Sequence, residues 1–142
     1  MDNLTTIGID VAKNFLDVCI MPMGKTFRVA NTQDGFKKLF KRLDEHEEIF
    51  RIVLEHTGGY QKAVVEFLQE HQMPVSVINP SRVHYFARAS GRIAKTDEID
   101  AEKLALFGLV HKPKITEAED EVGCVHIKNM LLYLYENNRL SV

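Results

Sequence analysis

Four acidic side chains stand where a carboxylate serves chemistry better than packing: Asp10, Glu55, Asp97 and Asp100. Asp10 follows the apolar run Thr6-Ile7-Gly8-Ile9, and Glu55 follows Phe50-Arg51-Ile52-Val53-Leu54. An ionised carboxylate at the end of a buried strand loses hydration, so it is a poor choice for packing. It is a good choice for holding a divalent cation. Asp97 and Asp100 lie in Lys95-Thr96-Asp97-Glu98-Ile99-Asp100-Ala101. With Thr96 read as a helix N-cap, their spacing of three puts both carboxylates on one face of the first turn. The helix macrodipole alone accounts for two acids at an N-terminus, so it takes the strand-end pair to turn the reading towards a shared site. Four clustered carboxylates raise one another's pKa values unless cations enter. Hard oxygen ligands select Mg²⁺ or Mn²⁺, and two such ions about 4 Å apart serve in-line phosphodiester chemistry.

Such a site needs strands that end side by side. Leu4 to Ile9 reads as a buried strand, Asp10 to Asn14 as a turn, and Phe15 to Met21 as a second strand. Pro22-Met23-Gly24-Lys25 carries turn chemistry, and Thr26 to Ala30 alternates as a third strand does. Short turns between these three imply an antiparallel meander. Phe36, Leu39, Phe40 and Leu43 then form the apolar stripe of a helix, with Lys37, Lys38, Lys41 and Arg42 as its solvated face. Ile49 to Leu54 is a fourth strand, and Thr57 can cap a second helix with Ala63, Val64, Phe67 and Leu68 inward. Val75 to Ile78 is a fifth strand, left through Asn79-Pro80. Strands that alternate with helices pair in parallel through right-handed crossovers. The expectation is an α/β fold: a mixed five-stranded sheet with a hairpin side and helices on its faces. Asp10 and Glu55 would then converge at the carboxyl ends of neighbouring strands, where α/β sheets bind ligands.

With 142 residues, 45% hydrophobic and 27% charged, the chain suffices for one domain with a real core. No apolar run reaches the length of a membrane span, and Met1-Asp2-Asn3-Leu4 lacks a signal-peptide pattern. Cys19 and Cys124 form no metal-type spacing; Cys19 reads as a core residue and the expected compartment is the cytoplasm. The organisation expected is a catalytic domain over residues 1–110. Residues 111–142 are expected to form a linker and a short amphipathic helix, built on Ile127, Met130, Leu131, Leu134 and Tyr135, that folds back or binds a partner.

Net charge is −2, which argues against a uniformly basic nucleic-acid binder. Locally the balance reverses: His71 to Thr96 contains no Asp or Glu but holds Arg82, Arg88, Arg92 and Lys95. Tyr85 and Phe86 interleave with these cations, a mixture that can follow a phosphate backbone and stack on bases, although both rings also suit packing. Gly91 suggests a loop in this segment that orders on DNA. Asp17 reads as a solvent-facing strand residue, His56 as part of a turn, and Glu98 as pointing away from its neighbours. Thr57-Gly58-Gly59-Tyr60 is either a phosphate-facing helix start or a tight turn.

Gly8-Ile9-Asp10-Val11-Ala12-Lys13, Leu54-Glu55-His56-Thr57-Gly58-Gly59-Tyr60, Val77-Ile78-Asn79-Pro80 and Lys95-Thr96-Asp97-Glu98-Ile99-Asp100-Ala101 occur in that order. The set resembles the N-terminal domain of the DEDD transposases, the family that includes the Piv DNA invertase, over roughly residues 4–110. The resemblance implies a RuvC-like, ribonuclease-H-like fold in which Asp10, Glu55, Asp97 and Asp100 form the metal-binding tetrad. It also implies a metal-dependent DNA strand-transfer enzyme of mobile elements that binds two Mg²⁺ or Mn²⁺ ions. Its partners would be branched DNA or insertion-element ends, in some members a guide RNA, and further copies of the chain. Family members continue into a helical linker and a C-terminal domain with a nucleophilic serine. No such domain occurs within these 142 residues, so complete transposition is expected to need it from elsewhere. The competing reading is a catalytically silent remnant that binds nucleic acid or dimerises through its tail helix.

Overall fold

The computed structural model describes residues 4–46, 48–91 and 99–118. Three strands come first, β1 (Thr5–Val11), β2 (Phe15–Met21) and β3 (Lys25–Ala30). Helix α1 (Gln33–Leu43), strand β4 (Ile49–Glu55), helix α2 (Lys62–Glu70) and strand β5 (Val75–Ile78) follow, then helices α3 (Pro80–Ala89) and α4 (Ala101–His111). The strands form one sheet in the order β3-β2-β1-β4-β5. β1 pairs antiparallel with β2, and β2 with β3; β1 pairs parallel with β4, and β4 with β5. The mixed five-stranded architecture with its hairpin side is therefore the one the sequence implies, and it is ribonuclease-H-like.

Alternation along the strands builds two apolar layers. Ile7, Ile9 and Val11 of β1, with Ile52 and Leu54 of β4, pack against Phe36, Leu39 and Leu43 of α1 and Val64, Val65, Phe67 and Leu68 of α2. Val65 takes the inward place that the sequence assigns to Ala63, which is exposed. On the opposite face Val53 and Ile78 meet Val83 and Ala87 of α3 and Ile99, Leu104 and Phe107 of α4. Because side chains alternate with period two, Thr6, Gly8 and Asp10 face α4.

Two helix starts go beyond or differ from the sequence reading. Pro80 to Ala89, to which the sequence reading assigned no element, is a helix: Asn79 caps it by accepting from Ser81 N at 2.9 Å, and Pro80 fits the first turn, where no N–H is needed. Thr57 does not cap α2, which starts at Lys62. Instead the buried Gln61 Oε1 accepts from Thr57 N and Gly59 N, at 3.2 and 3.1 Å, and closes the preceding turn on itself.

The chain beyond α4 lies along β5. Thr116 N donates to Val75 O at 2.7 Å, Val77 N donates to Thr116 Oγ1 at 2.9 Å, and Ser76 Oγ donates to Lys114 O at 2.6 Å. These bonds cover an edge strand that would otherwise offer open backbone groups to another chain. The tail helix around Ile127–Tyr135 lies outside the described residues.

Candidate active site

Asp10 sits inside β1, one residue before its end, and Glu55 is the last residue of β4. The parallel register runs through Ile9 opposite Leu54. The next position on each strand is therefore Asp10 and Glu55, and parity turns both towards the α4 face. The two carboxyl groups interact: Glu55 is pushed up to about 7, chiefly by burial and then by the negative charge of Asp10. Glu55 Oε1 is buried without a hydrogen-bond partner among the described residues. A buried carboxylate short of donors and beside a second acid is costly when ionised. A hard cation relieves both terms at once, so these two residues fit a Mg²⁺ or Mn²⁺ ion.

Helix α4 reaches this corner because the sequence removes side chains where it crosses β1. A Cβ added at Gly8 would stand 2.0 Å from Ala101 O and 2.6 Å from Ala105 N, so helix backbone lies directly on strand backbone. Thr6 Oγ1 donates to Ala105 O at 2.8 Å within the same contact. Further along the helix, a Cβ on Gly108 would meet Val53 Cγ2 at 2.8 Å. These contacts fix the first turn of α4 beside the end of β1.

Asp100 is the N-cap of α4, with extended backbone (φ −108°, ψ 179°), and its side chain accepts from Lys103 N at 3.0 Å. Its second oxygen pairs with Lys103 Nζ at 3.2 Å. The sequence reading placed the cap at Thr96 and both acids in the first turn. The helix begins later, at Ala101, because Asp100 itself supplies the capping oxygen. Thr96, Asp97 and Glu98 lie outside the described residues, as do Arg92 and Lys95.

Asp10 and Asp100 open into one groove of about 430 Å³, shared with Asp17, Arg28 and Glu102. Asp17 stands opposite Asp10 on β2, and Arg28 opposite Asp17 on β3. Arg28 donates to both Asp17 oxygens, at 2.7 and 3.1 Å, and its guanidinium stacks over the Phe15 ring. Asp17 thus faces the groove with its charge balanced. Cys19 is buried on the same face, and burial, then Glu102 and Asp100, push its thiol up. Among the described residues, no three His, Cys, Asp or Glu side chains stand close enough to hold a metal ion together. Asp10 and Glu55 form a coupled pair, and Asp100 shares the groove with Asp10 while held by its cap and Lys103.

The turn after β4 borders the groove's end of the sheet. His56 N donates to Ile78 O at 3.1 Å, which gives this residue a backbone role in the turn. Asn31 Nδ2 donates to Ala12 O at 2.9 Å and Tyr60 O at 3.2 Å, tying the turn to the end of β1. Gly8, Gln61 and Asn31 are the positioning residues the sequence reading did not single out. Only Gly8, lying between apolar strand residues, carried a visible signal, since glycine inside a strand marks close backbone approach.

Arg82, Tyr85 and Arg88 are exposed on α3, and Tyr85 retains 73% of its surface. Phe86 packs partly against the second core layer. Gly91, with φ 70°, follows the helix in a turn.

Two comparisons bear on this arrangement. The family described as Transposase, of the DEDD type, matches residues 7–123. The pilin gene-inverting proteins of Moraxella lacunata and Moraxella bovis are each 30% identical over 122 residues. That alignment covers 82% of this chain and 38% of each relative, so the chain spans less than half the length of these proteins. A ribonuclease-H-like sheet, a coupled acid pair at the ends of its central parallel strands and a match over most of the chain lead to one assignment: the chain belongs to the DEDD transposase family.

Proposed function

We propose that the chain is the catalytic domain of a DNA recombinase that cleaves or transfers phosphodiester bonds. In this reading Asp10, Glu55, Asp97 and Asp100 hold Mg²⁺ or Mn²⁺, two ions in the working state. One observation carries it: Glu55 Oε1 is buried without a partner beside Asp10, on the face that α4 covers. When bound, divalent cations supply activation of the attacking oxygen and stabilisation of the leaving oxygen. The chain's own residues do the rest. Gly8 and Thr6 seat the first turn of α4, Lys103 holds the Asp100 carboxylate, and Arg28 neutralises Asp17 so that it adds no charge repulsion. Arg82, Arg88, Arg92 and Lys95 contact DNA and offset phosphate charge, and Tyr85 contacts its bases. The relatives' name, pilin gene-inverting protein, supports DNA as substrate, since inverting a gene requires strands to be cut and rejoined. The proposed partners are insertion-element ends or branched DNA, a guide RNA, and a second copy of the chain.

A second reading, a nucleic-acid-binding or dimerisation module without catalysis, draws on the commitment of Asp100 to its cap and to Lys103. Calorimetric titration with Mn²⁺ and Mg²⁺, on the wild type and on Asp97→Asn, separates the two. The catalytic reading expects saturable binding that the substitution weakens at least tenfold, and Mn²⁺-dependent nicking of branched DNA. Absence of binding by the wild type, with and without DNA, would overturn it.

A further inference from the structure

We propose that the cleft between α3 and α4 binds one unpaired nucleobase of a DNA strand. The proposal rests on the reading of DNA as substrate and adds a contact separate from the acidic groove. The cleft measures about 320 Å³ and is lined by Arg82, Tyr85, Phe86, Ala89, Phe107 and His111. Phe107 and His111 stack with centroids 4.6 Å apart, and Phe86 stands nearly perpendicular to both, at 84° and 85°. The rings meet as an aromatic corner. The Arg82 guanidinium already lies over the Phe107 ring, 5.3 Å from its centroid. Tyr85, with 73% of its surface exposed, is not accounted for by packing.

The chemistry selects the occupant. An aliphatic side chain entering the cleft would strip water from Arg82 and offer its guanidinium no acceptor, at a net loss. A nucleobase offers a flat π face to the exposed Tyr85 ring and carbonyl or ring-nitrogen acceptors to Arg82. The volume lies at the small end of ligand sites, the scale of one base and too small for a docked helix. In a duplex the base faces are covered by their neighbours, so stacking here requires an unpaired base. Charge agrees: α3 and its flanks from His71 to Gly91 contain no acid, and Arg88 adds a second cation one turn beyond Tyr85.

The test is fluorescence anisotropy in EDTA with a labelled single strand and with the blunt duplex of the same sequence. Tyr85→Ala is expected to weaken single-strand binding about 5- to 100-fold, the range for losing one stacked base. It should change duplex binding by less than about twofold and leave the salt dependence unaltered. Tyr85→Phe, which keeps the ring, should bind the single strand within about twofold of wild type. Equal losses on both DNAs, no loss on the single strand, or a Tyr85→Phe defect as large as that of Ala would overturn the proposal; circular dichroism checks that each variant folds. EDTA removes metal chemistry, so the outcome is independent of the catalytic site. Wild type that binds neither DNA at low salt would sink the DNA reading itself, whereas wild type that binds both with Tyr85→Ala unchanged sinks only the cleft.

Discussion

Glu55 makes the acidic site a liability for folding when no cation is bound, and Glu55→Gln measures it. Its carboxyl is held near 7 against an ordinary value of 4.5. Below about pH 4.5 the group is protonated in both folded and unfolded chains, and the site adds no penalty. Between 4.5 and 7 the unfolded chain releases the proton while the folded chain keeps it, so stability falls as pH rises. Above about 7 the loss is complete. At about 1.36 kcal/mol per unit the shift has a ceiling near 3 kcal/mol; partial solvent access reduces the working figure to about 1–2 kcal/mol. The amide cannot ionise, so Glu55→Gln should be more stable than wild type by that amount at pH 8 and nearly equal to it at pH 4. Urea denaturation in EDTA reads this as a midpoint shift of about 0.5–1 M at pH 8. A difference between the two proteins that is the same at both pH values would refute the argument, because an uncharged packing effect has no reason to titrate. Adding Mn²⁺ at pH 8 should narrow the gap by stabilising the wild type alone.

Two further substitutions probe how the site is held. Gly8→Ala places a methyl 2.0 Å from a backbone oxygen that cannot rotate away; it should cost about 1–3 kcal/mol by displacing α4 and weaken Mn²⁺ binding, and an unchanged denaturation midpoint would show that the helix does not sit on the strand as described. Thr116→Val removes the acceptor of Val77 N on the edge strand β5; it should cost about 1 kcal/mol in thermal denaturation without altering Mn²⁺ affinity, and a loss of metal binding there would show that this edge is coupled to the acidic groove.

What was legible in the sequence was periodicity and placement. The apolar run ending at Ile9, the helical stripe of Phe36, Leu39 and Leu43, and the spacing of strands and helices point to a mixed five-stranded sheet, although β1 runs on through Asp10 to Val11, which the sequence reads as turn. Acids at strand ends place Asp10 and Glu55 side by side once β1 and β4 are neighbours. What escaped was set by single hydrogen bonds. Asp100 caps α4 because its oxygen accepts from Lys103 N, three residues on, and the spacing of the acids alone does not decide where the first turn begins. The turn before α2 looked like a helix start because Thr57 is a good cap; the Gln61 amide, whose oxygen gathers two backbone N–H groups, makes it a closed turn instead. Helix α3 escaped because its arginines and exposed tyrosine suggest a binding loop, although Asn79-Pro80 is a strong helix start.

The two glycine contacts and the unpartnered Glu55 Oε1 lie on one face of the sheet. A helix that presents its N-terminal end to the ends of β1 and β4 must cross them closely, and Gly8 and Gly108 allow this by giving up side-chain packing. On the same face of the sheet Glu55 is desolvated beside Asp10, which raises its ionisation cost. The corner where Asp10 and Asp100 open into one groove thus also holds, at Glu55, an electrostatic deficit that a cation would offset. A donor supplied by the protein to Glu55 Oε1 would stabilise the fold and weaken the site's affinity for a cation. If the proposed cation binds here, a variant that supplies a donor to this oxygen should gain stability in the same measure that it loses Mn²⁺ affinity, and one that gains stability with Mn²⁺ affinity unchanged would separate the orphaned oxygen from the metal site.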